Sequence, residues 1–295
     1  MNNLKIENDF TRMMNLDYPI LMAPMFLVSN EAMMIAGSKA KVLPFCPSLN
    51  FRPVEKFKLA ISNIRKNSQG PIGINLIVNK SNIYLDEHLD ISLDAGVDCF
   101  ITSLGSPEKV IKKSKKKNVK VFCDVTDLKY ALKVQDMGAD AVIAVSSAAG
   151  GHAGKIAPNV LIPHLKEKLT IPVIAAGGVA TGAGILSMLS LGADAVSIGT
   201  RFIASHEAGV NDAYKKAIVE YGAEDIVMTT KLSGTPCTVI NTEYVKKSGT
   251  NQNILESVLS KNKSLKKYIK MITSFKGMKL LESAASSQTY KTVWC

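Results

Sequence analysis

The sequence predicts an α/β protein built as a closed (β/α)8 barrel of the TIM type, followed by a small, mostly helical C-terminal lobe. Three observations carry the prediction. Short apolar, β-branched runs alternate with longer amphipathic stretches from residue 18 to about residue 221, there are eight such runs, and the joints between them repeat one phrase.

The strand candidates are residues 19–23, 41–45, 72–78, 98–102, 119–124, 141–145, 172–176 and 195–199. Helix-like segments lie between them at 53–67, 83–95, 107–117, 127–137 and 182–191. Several helices end in the repeated phrase: Ala95-Gly96-Val97-Asp98, Met137-Gly138-Ala139-Asp140 and Leu191-Gly192-Ala193-Asp194. Each puts a glycine where a helix needs a left-handed terminal residue and then enters an apolar strand. Strands that are apolar on both faces and always separated by helices imply a parallel sheet covered on both sides. Eight such units in about 200 residues favour closure into a barrel over an open doubly wound sheet.

The alternation stops near Glu224. The expected organisation is a barrel over residues 1–223, a helical lobe over 224–283 with a helix at 253–271, and a C-terminal segment, 284–295, that returns to the barrel.

Composition narrows the function. The chain has 295 residues, 46% of them hydrophobic and 21% charged, and no uncharged apolar run of bilayer length. The first fifteen residues are polar and include Glu7 and Asp9, unlike a secretion signal, so a cytoplasmic location is expected. Five cysteines, Cys46, Cys99, Cys123, Cys237 and Cys295, are spaced too widely for a metal motif and are expected to be reduced. The net charge of +11 comes almost wholly from lysine rather than arginine, and no aromatic residues interleave with the run at 112–117. That pattern reads as a solvated helix face, not a nucleic-acid surface.

In a barrel of this kind the chemistry sits in the loops after the strands. After the sixth predicted strand comes Ser146-Ser147-Ala148-Ala149-Gly150-Gly151-His152-Ala153-Gly154. Glycines around one imidazole let backbone amides approach a ligand while placing a titratable ring beside it, although an exposed loop histidine explains the residues equally well. After the seventh comes Ala176-Gly177-Gly178 and after the eighth Gly199-Thr200-Arg201-Phe202. Loops in these two positions form the usual phosphate cradle of the fold. Asn75 interrupts an apolar strand, where a buried amide needs either a ligand or an internal partner. Asp124 ends another strand and suits either a ligand contact or the cap of the next helix. His88, His164 and His206 fall in helical contexts, where surface or capping roles are expected.

On these residues, together with Pro19-Ile20-Leu21-Met22-Ala23-Pro24-Met25, Leu49-Asn50-Phe51-Arg52-Pro53 and Gly73-Ile74-Asn75-Leu76, the sequence resembles the nitronate monooxygenase family, also called 2-nitropropane dioxygenases. It is similar as well to the flavin-dependent enoyl-acyl-carrier-protein reductases of type II. The resemblance implies FMN, held at its phosphate by Gly177, Gly178, Gly199 and Thr200. Nearer the ring it implies Ala23, Pro24, Met25, Asn75 and Asp124, with Gly150 and Gly151 beside the catalytic base His152. The implied reaction takes a proton from a nitroalkane, or binds its nitronate, and uses O2 to give a carbonyl compound and nitrite. The alternative it leaves open is NAD(P)H-dependent reduction of an enoyl thioester or quinone. A small-molecule substrate is thus the expected partner, without nucleic acid or membrane, and a homodimer is left open. The sequence departs from relatives at Ala148, where many carry Glu, and at Pro44-Phe45-Cys46-Pro47-Ser48, where a glycine-rich loop is usual. A different class remains: an idle barrel that binds a phosphate compound other than flavin.

Overall fold

The computed structural model describes residues 5–231 and 236–251, and its contacts divide the chain into two units. The first comprises residues 1–148 and 155–199; the second comprises 149–154 and 200–295. The division falls at Gly199–Thr200, earlier than the expected boundary at 223, and residues 149–154 belong to the second unit.

The first unit is a closed barrel of eight parallel strands: β1 (Ile20–Met22), β2 (Leu43–Pro47), β3 (Gly73–Ile77), β4 (Cys99–Ser103), β5 (Lys120–Val125), β6 (Ala141–Val145), β8 (Val173–Ala176) and β9 (Ala195–Ile198). A two-residue strand, β7 (Gly151–His152), intervenes in the chain but lies in the second unit. All eight expected strands are present within a few residues of the expected limits. Closure is made by β1 against β9, with Ile20 opposite Val196 and Met22 opposite Ile198.

Inward side chains from alternate positions fill the interior, among them Leu21, Phe45, Ile101, Phe122, Ile143 and Ile174. Phe45 packs its ring where a Gly73 side chain would be: a Cβ there would lie 2.1 Å from the ring, so only glycine fits. The short helix α1 (Asp9–Met14), which the sequence did not suggest, plugs the N-terminal end of the barrel. Its Phe10 ring lies 5.6 Å from that of Phe122, and Asn8 Nδ2 donates to the Asp194 carbonyl at 2.6 Å.

The repeated αβ phrase has a second purpose beyond the helix-ending glycine. At each joint the aspartate exchanges two bonds with the neighbouring strand. Asp98 Oδ2 accepts from Ile72 N at 2.8 Å while Asp98 N donates to Ile72 O at 3.0 Å. Asp140 does the same with Val121, and Asp194 with Val173. A basic side chain backs each carboxylate: Arg65, Lys120 and Lys166 respectively.

The lysine-rich helix α5 (Glu108–Lys115) shows how part of the positive charge is used. Lys109, Lys113 and Lys117 face Asp86, Asp90 and Asp94, which lie along α4 (Leu85–Asp94). These are exposed pairs, each contributing at most about 1 kcal/mol.

In the second unit, β10 (Ile226–Thr229), β11 (Cys237–Ile240) and β7 form an antiparallel sheet in the order β10, β11, β7. Cys237, Val239 and Val245 form its small core with Val227 and Tyr244. Helices α9 (Thr200–Ile203), α10 (Asp212–Glu220) and α11 (Glu243–Ser248) complete the described part. Within the expected lobe, the described residues include two strands, 226–229 and 237–240. Both runs are only four residues long, and their polar surroundings hide the apolar pattern. The expected helix at 253–271 and the returning segment at 284–295 lie outside the described residues. No helix of the described residues is long and apolar enough to cross a membrane.

His88 is a further correction: it is fully buried, not at the surface. Acidic residues make α4 read as polar, but His88, Leu89, Ser92 and Leu93 form a buried stripe along it. The imidazole lies 4.5 Å from the Phe57 ring and stacks on Tyr84 at 5.6 Å, and neither ring nitrogen has a hydrogen-bond partner. His164 and His206 are exposed, as expected.

Burial pushes the His88 pKa down from 6.5 to about 4. Its neutral form is favoured in the fold, so this contribution to stability is complete above pH 6.5 and is lost as the unfolded chain takes up a proton below it. Between pH 7.5 and 5 the protein should lose about 2 kcal/mol relative to a His88→Phe variant. Urea unfolding of both at the two pH values checks this; equal losses would contradict it.

Candidate active site

Several expected site residues converge at the C-terminal ends of the barrel strands. Residues 23–25 continue from β1, and Ala23 N donates to Ile198 O at 2.8 Å, prolonging the closing ladder. Gly199 then comes against the same turn: a Cβ on it would lie 3.6 Å from Met25 Sδ and 3.7 Å from Ala23 Cβ. Two residues not assigned to the site from sequence hold this turn in shape. Ser29 Oγ accepts from Met25 N at 2.9 Å. Asn50, in the 3-10 turn after β2, donates from Nδ2 to Met25 O at 3.1 Å and Ser29 O at 2.8 Å, and accepts from Leu27 N at 3.0 Å. Asn50 was visible in the motif Leu49-Asn50-Phe51, but an amide's role as a loop clamp depends on backbone groups distant in sequence.

Next around the barrel lie the loops after β8 and β6. Gly177 and Gly178 have φ values of 119° and 72°, conformations that disfavour any side chain. A Cβ on Gly178 would also lie 3.2 Å from Ala148 Cβ. Thr181 caps the following helix α8 (Gly182–Ser190) by accepting from Gly184 N at 3.2 Å. At the end of β6, Ser146 donates from both N and Oγ to Ala176 O, at 3.1 and 2.9 Å, and Ser147 N donates to Ile156 O at 2.8 Å. The two feet of the glycine-rich excursion are thereby tied to each other and to β8.

The excursion itself is part of the second unit. Gly151 and His152 pair with Thr238 and Cys237 of β11, Ala153 N donates to Pro236 O at 3.3 Å, and Thr238 Oγ1 donates to Ala149 O at 2.9 Å. Gly151 has φ of 66°, the His152 residue is exposed, and Gly150 precedes the pair. Thr200, opening α9, also belongs to this unit. Thus Ala23, Pro24, Met25, Asn75, Asp124, Gly177, Gly178 and Gly199 belong to the barrel, while Gly150, Gly151, His152 and Thr200 belong to the second unit.

On the other side of the barrel, β3, β4 and β5 contribute a polar line. Asn75 Nδ2 donates to Ile101 O at 3.3 Å and to Ser103 Oγ at 2.8 Å, and Ser103 Oγ donates to Asp124 Oδ2 at 2.5 Å. Ser103 was missed in the sequence because serine at a strand end carries no distinctive signal. The choice left open for Asp124 is narrowed: the cap of α6 (Leu128–Asp136) is Asp127, which accepts from Tyr130 N at 2.8 Å. Burial raises the Asp124 pKa to about 6, with the Ser103 hydrogen bond pulling the other way. Cys46, Cys99, Cys123 and Cys237 are buried free thiols, and burial raises each of their pKa values. Among the described residues, no cluster of three or more His, Cys, Asp or Glu side chains could hold a metal.

This donor set fits a phosphate-bearing, planar cofactor. Gly178 and Gly199 keep side chains out of the rim, the α8 N-terminus lies just beyond Gly178, and Asn75 offers a fixed amide.

The structure is an α/β barrel, and its family marks it as an oxidoreductase. The chain belongs to the nitronate monooxygenase family, whose model matches residues 82–287, more than half its length. A solved structure of FabK from Thermotoga maritima is similar over 98% of this chain and 88% of its own, with a TM-score of 0.84 and 28% identity. A probable nitronate monooxygenase of Staphylococcus saprophyticus is 27% identical over 289 residues, covering 83% of this chain and 81% of its own. A relative from Mycobacterium tuberculosis is 28% identical over 247 residues, covering 83% of this chain and 69% of its own. Its name is (3aS,4S,5R,7aS)-5-hydroxy-7a-methyl-1-oxo-octahydro-1H-indene-4-carboxyl-CoA dehydrogenase.

Because the folded pKa of Asp124 lies above the ordinary 3.8, the ionised carboxylate opposes folding, and stability should fall as pH rises from about 4 to 6. Its sign is opposite to that of His88. Relative to Asp124→Asn, the wild type should gain about 1 kcal/mol on going from pH 7.5 to 5. Denaturant titrations of the two proteins measure this, and a constant difference between them would rule it out.

Proposed function

We propose that the protein is an FMN-dependent oxidoreductase that oxidises alkyl nitronates or nitroalkanes with O2 to carbonyl compounds and nitrite. The observation that carries this reading is the placement of His152. His152 is an exposed residue, and its backbone is tied on β7 by the bonds of residues 149, 151 and 153 to β11 and Pro236. A histidine used for packing would be buried, as His88 is. An exposed histidine on a fixed backbone suits a proton acceptor instead.

The residues divide the work. Gly177, Gly178, Gly199 and Thr200 would hold the cofactor phosphate, and residues 23–25, clamped by Ser29 and Asn50, would line its ring together with Asn75 and Asp124. Bound FMN would supply the electron transfer and oxygen chemistry that these side chains lack. His152 takes the proton from the substrate carbon beside the nitro group onto an imidazole nitrogen. With Ala148 in place of a carboxylate, His152 is the only proton acceptor within residues 146–154. The nitronate so formed is an anion, which the imidazolium then holds by charge.

A second reading is reduction of an enoyl thioester by NAD(P)H, favoured by the similarity to FabK and to a relative named for an acyl-CoA substrate. The two share the barrel and differ in their electron source. Anaerobic addition of NADH or NADPH should leave the bound flavin oxidised, and ethylnitronate should drive oxygen uptake. Rapid bleaching by a nicotinamide, with no nitronate-dependent uptake, would replace the first reading by the second.

His152→Ala should lower turnover of neutral nitroalkanes by about 10²–10⁴-fold, the usual cost of losing a positioned base. Flavin absorbance should be retained, and preformed nitronate should be affected less. Unchanged activity toward both substrates would remove His152 from the mechanism.

A further inference from the structure

The polar line across β3, β4 and β5 has a direction. Ile101 O can only accept, so the group of Asn75 that faces it is Nδ2, which also donates to Ser103 Oγ. Both amide hydrogens are then used. Asn75 is buried, and its Oδ1 accepts from no described residue. The amide therefore presents an acceptor. Ser103 spends its one hydrogen on Asp124 at 2.5 Å, so the chain runs from the amide through the hydroxyl to the carboxylate.

We propose that Asp124 and Ser103 are positioning residues that act through Asn75, so that the barrel binds a planar heterocycle presenting a ring N–H more tightly when Asp124 is ionised than when it is protonated. An ionised carboxylate makes the Ser103 bond charge-assisted, and bonds in a chain polarise one another. The pull on Nδ2 makes Oδ1 a better acceptor and holds the amide in one orientation. Protonation reverses the carboxyl's role: its O–H competes as a donor to Ser103 Oγ, and the hydroxyl hydrogen must find another acceptor. The grip on Asn75 loosens.

Within the barrel, the titratable groups that sense Asp124 are Cys123 on the same strand and Tyr130 on α6, and burial raises the pKa of both. Tyr130 donates its hydroxyl to Gly105 O. Opposite Asp124, β4 offers Ser103 and β6 offers Ile143, neither of them charged. Asp124 is thus the group on this line that changes charge near pH 6. By linkage, a ligand held on Asn75 Oδ1 favours the ionised carboxylate in return.

The ring N–H in view is that of the FMN isoalloxazine, so the ligand part of this inference rests on the proposed function. The test has one arm that does not. In ¹⁵N-labelled protein without added flavin, the Asn75 side-chain amide signals, identified by their loss in Asn75→Asp, should titrate with a midpoint near pH 6. The titration should vanish in Asp124→Asn and in Ser103→Ala and survive in Ser103→Thr, which keeps the hydroxyl. A signal that is flat in the wild type, or that still titrates without the Ser103 hydroxyl, overturns the proposal. In the second arm, FMN affinity measured by fluorescence quenching should weaken about tenfold more in the wild type than in Asp124→Asn between pH 7.5 and 5, roughly the worth of one hydrogen bond to a charge-linked acceptor. Titration of the FMN phosphate is common to both proteins and cancels. Absence of FMN binding with the Asn75 titration intact defeats the flavin reading alone. FMN binding with equal pH dependence in the two proteins defeats the proposed link.

Discussion

The register of the barrel strands is the constraint on which the site depends, and aspartates at three αβ joints enforce it. Asp98, Asp140 and Asp194 each exchange a pair of bonds with the strand next door, tying β3 to β4, β5 to β6 and β8 to β9. In a strand the side chains alternate faces, so a slip of one residue would turn Asn75 or Asp124 from one face to the other. Pins at the N-terminal ends of the strands thus decide which side chains meet at the opposite ends. Because each carboxylate is charged and backed by a lysine or arginine, the bond is stronger than an ordinary amide pair.

Two kinds of local structure then complete the barrel rim. On the β8, β9 and β1 side the chain leaves out side chains: a Cβ on Gly178 would crowd Ala148 at 3.2 Å, and Gly199 lies beside Met25 and Ala23. On the β3, β4 and β5 side it adds polar ones, linked from Asn75 through Ser103 to Asp124. The contrast matches a cofactor with a phosphate at one end and a polar ring at the other. His152 comes from elsewhere, from an excursion whose feet are closed by Ser147 and Ile156 while its tip pairs with β11.

Much of the barrel was legible in the sequence because its signals are local. Apolar runs, helix-ending glycines and their spacing each lie within one βα unit, and the loops following the strands could be placed from that order. What escaped depends on partners remote in sequence. The burial of His88 comes from Phe57 on the preceding helix, and the clamp on residues 23–29 from Asn50. Ser103 has meaning only between Asn75 and Asp124, which lie on neighbouring strands. The strands at 226–229 and 237–240 were lost for a related reason, since a four-residue run shows its pairing only once β7 is brought alongside. The glycine-rich histidine segment was legible as chemistry, but its place on an antiparallel sheet was not.

The proposed flavin chemistry is tested most directly by the visible spectrum of the purified protein. The protein should show absorbance bands of oxidised FMN at about one cofactor per chain, either as isolated or after incubation with FMN and gel filtration. A protein that stays colourless after that treatment would contradict it.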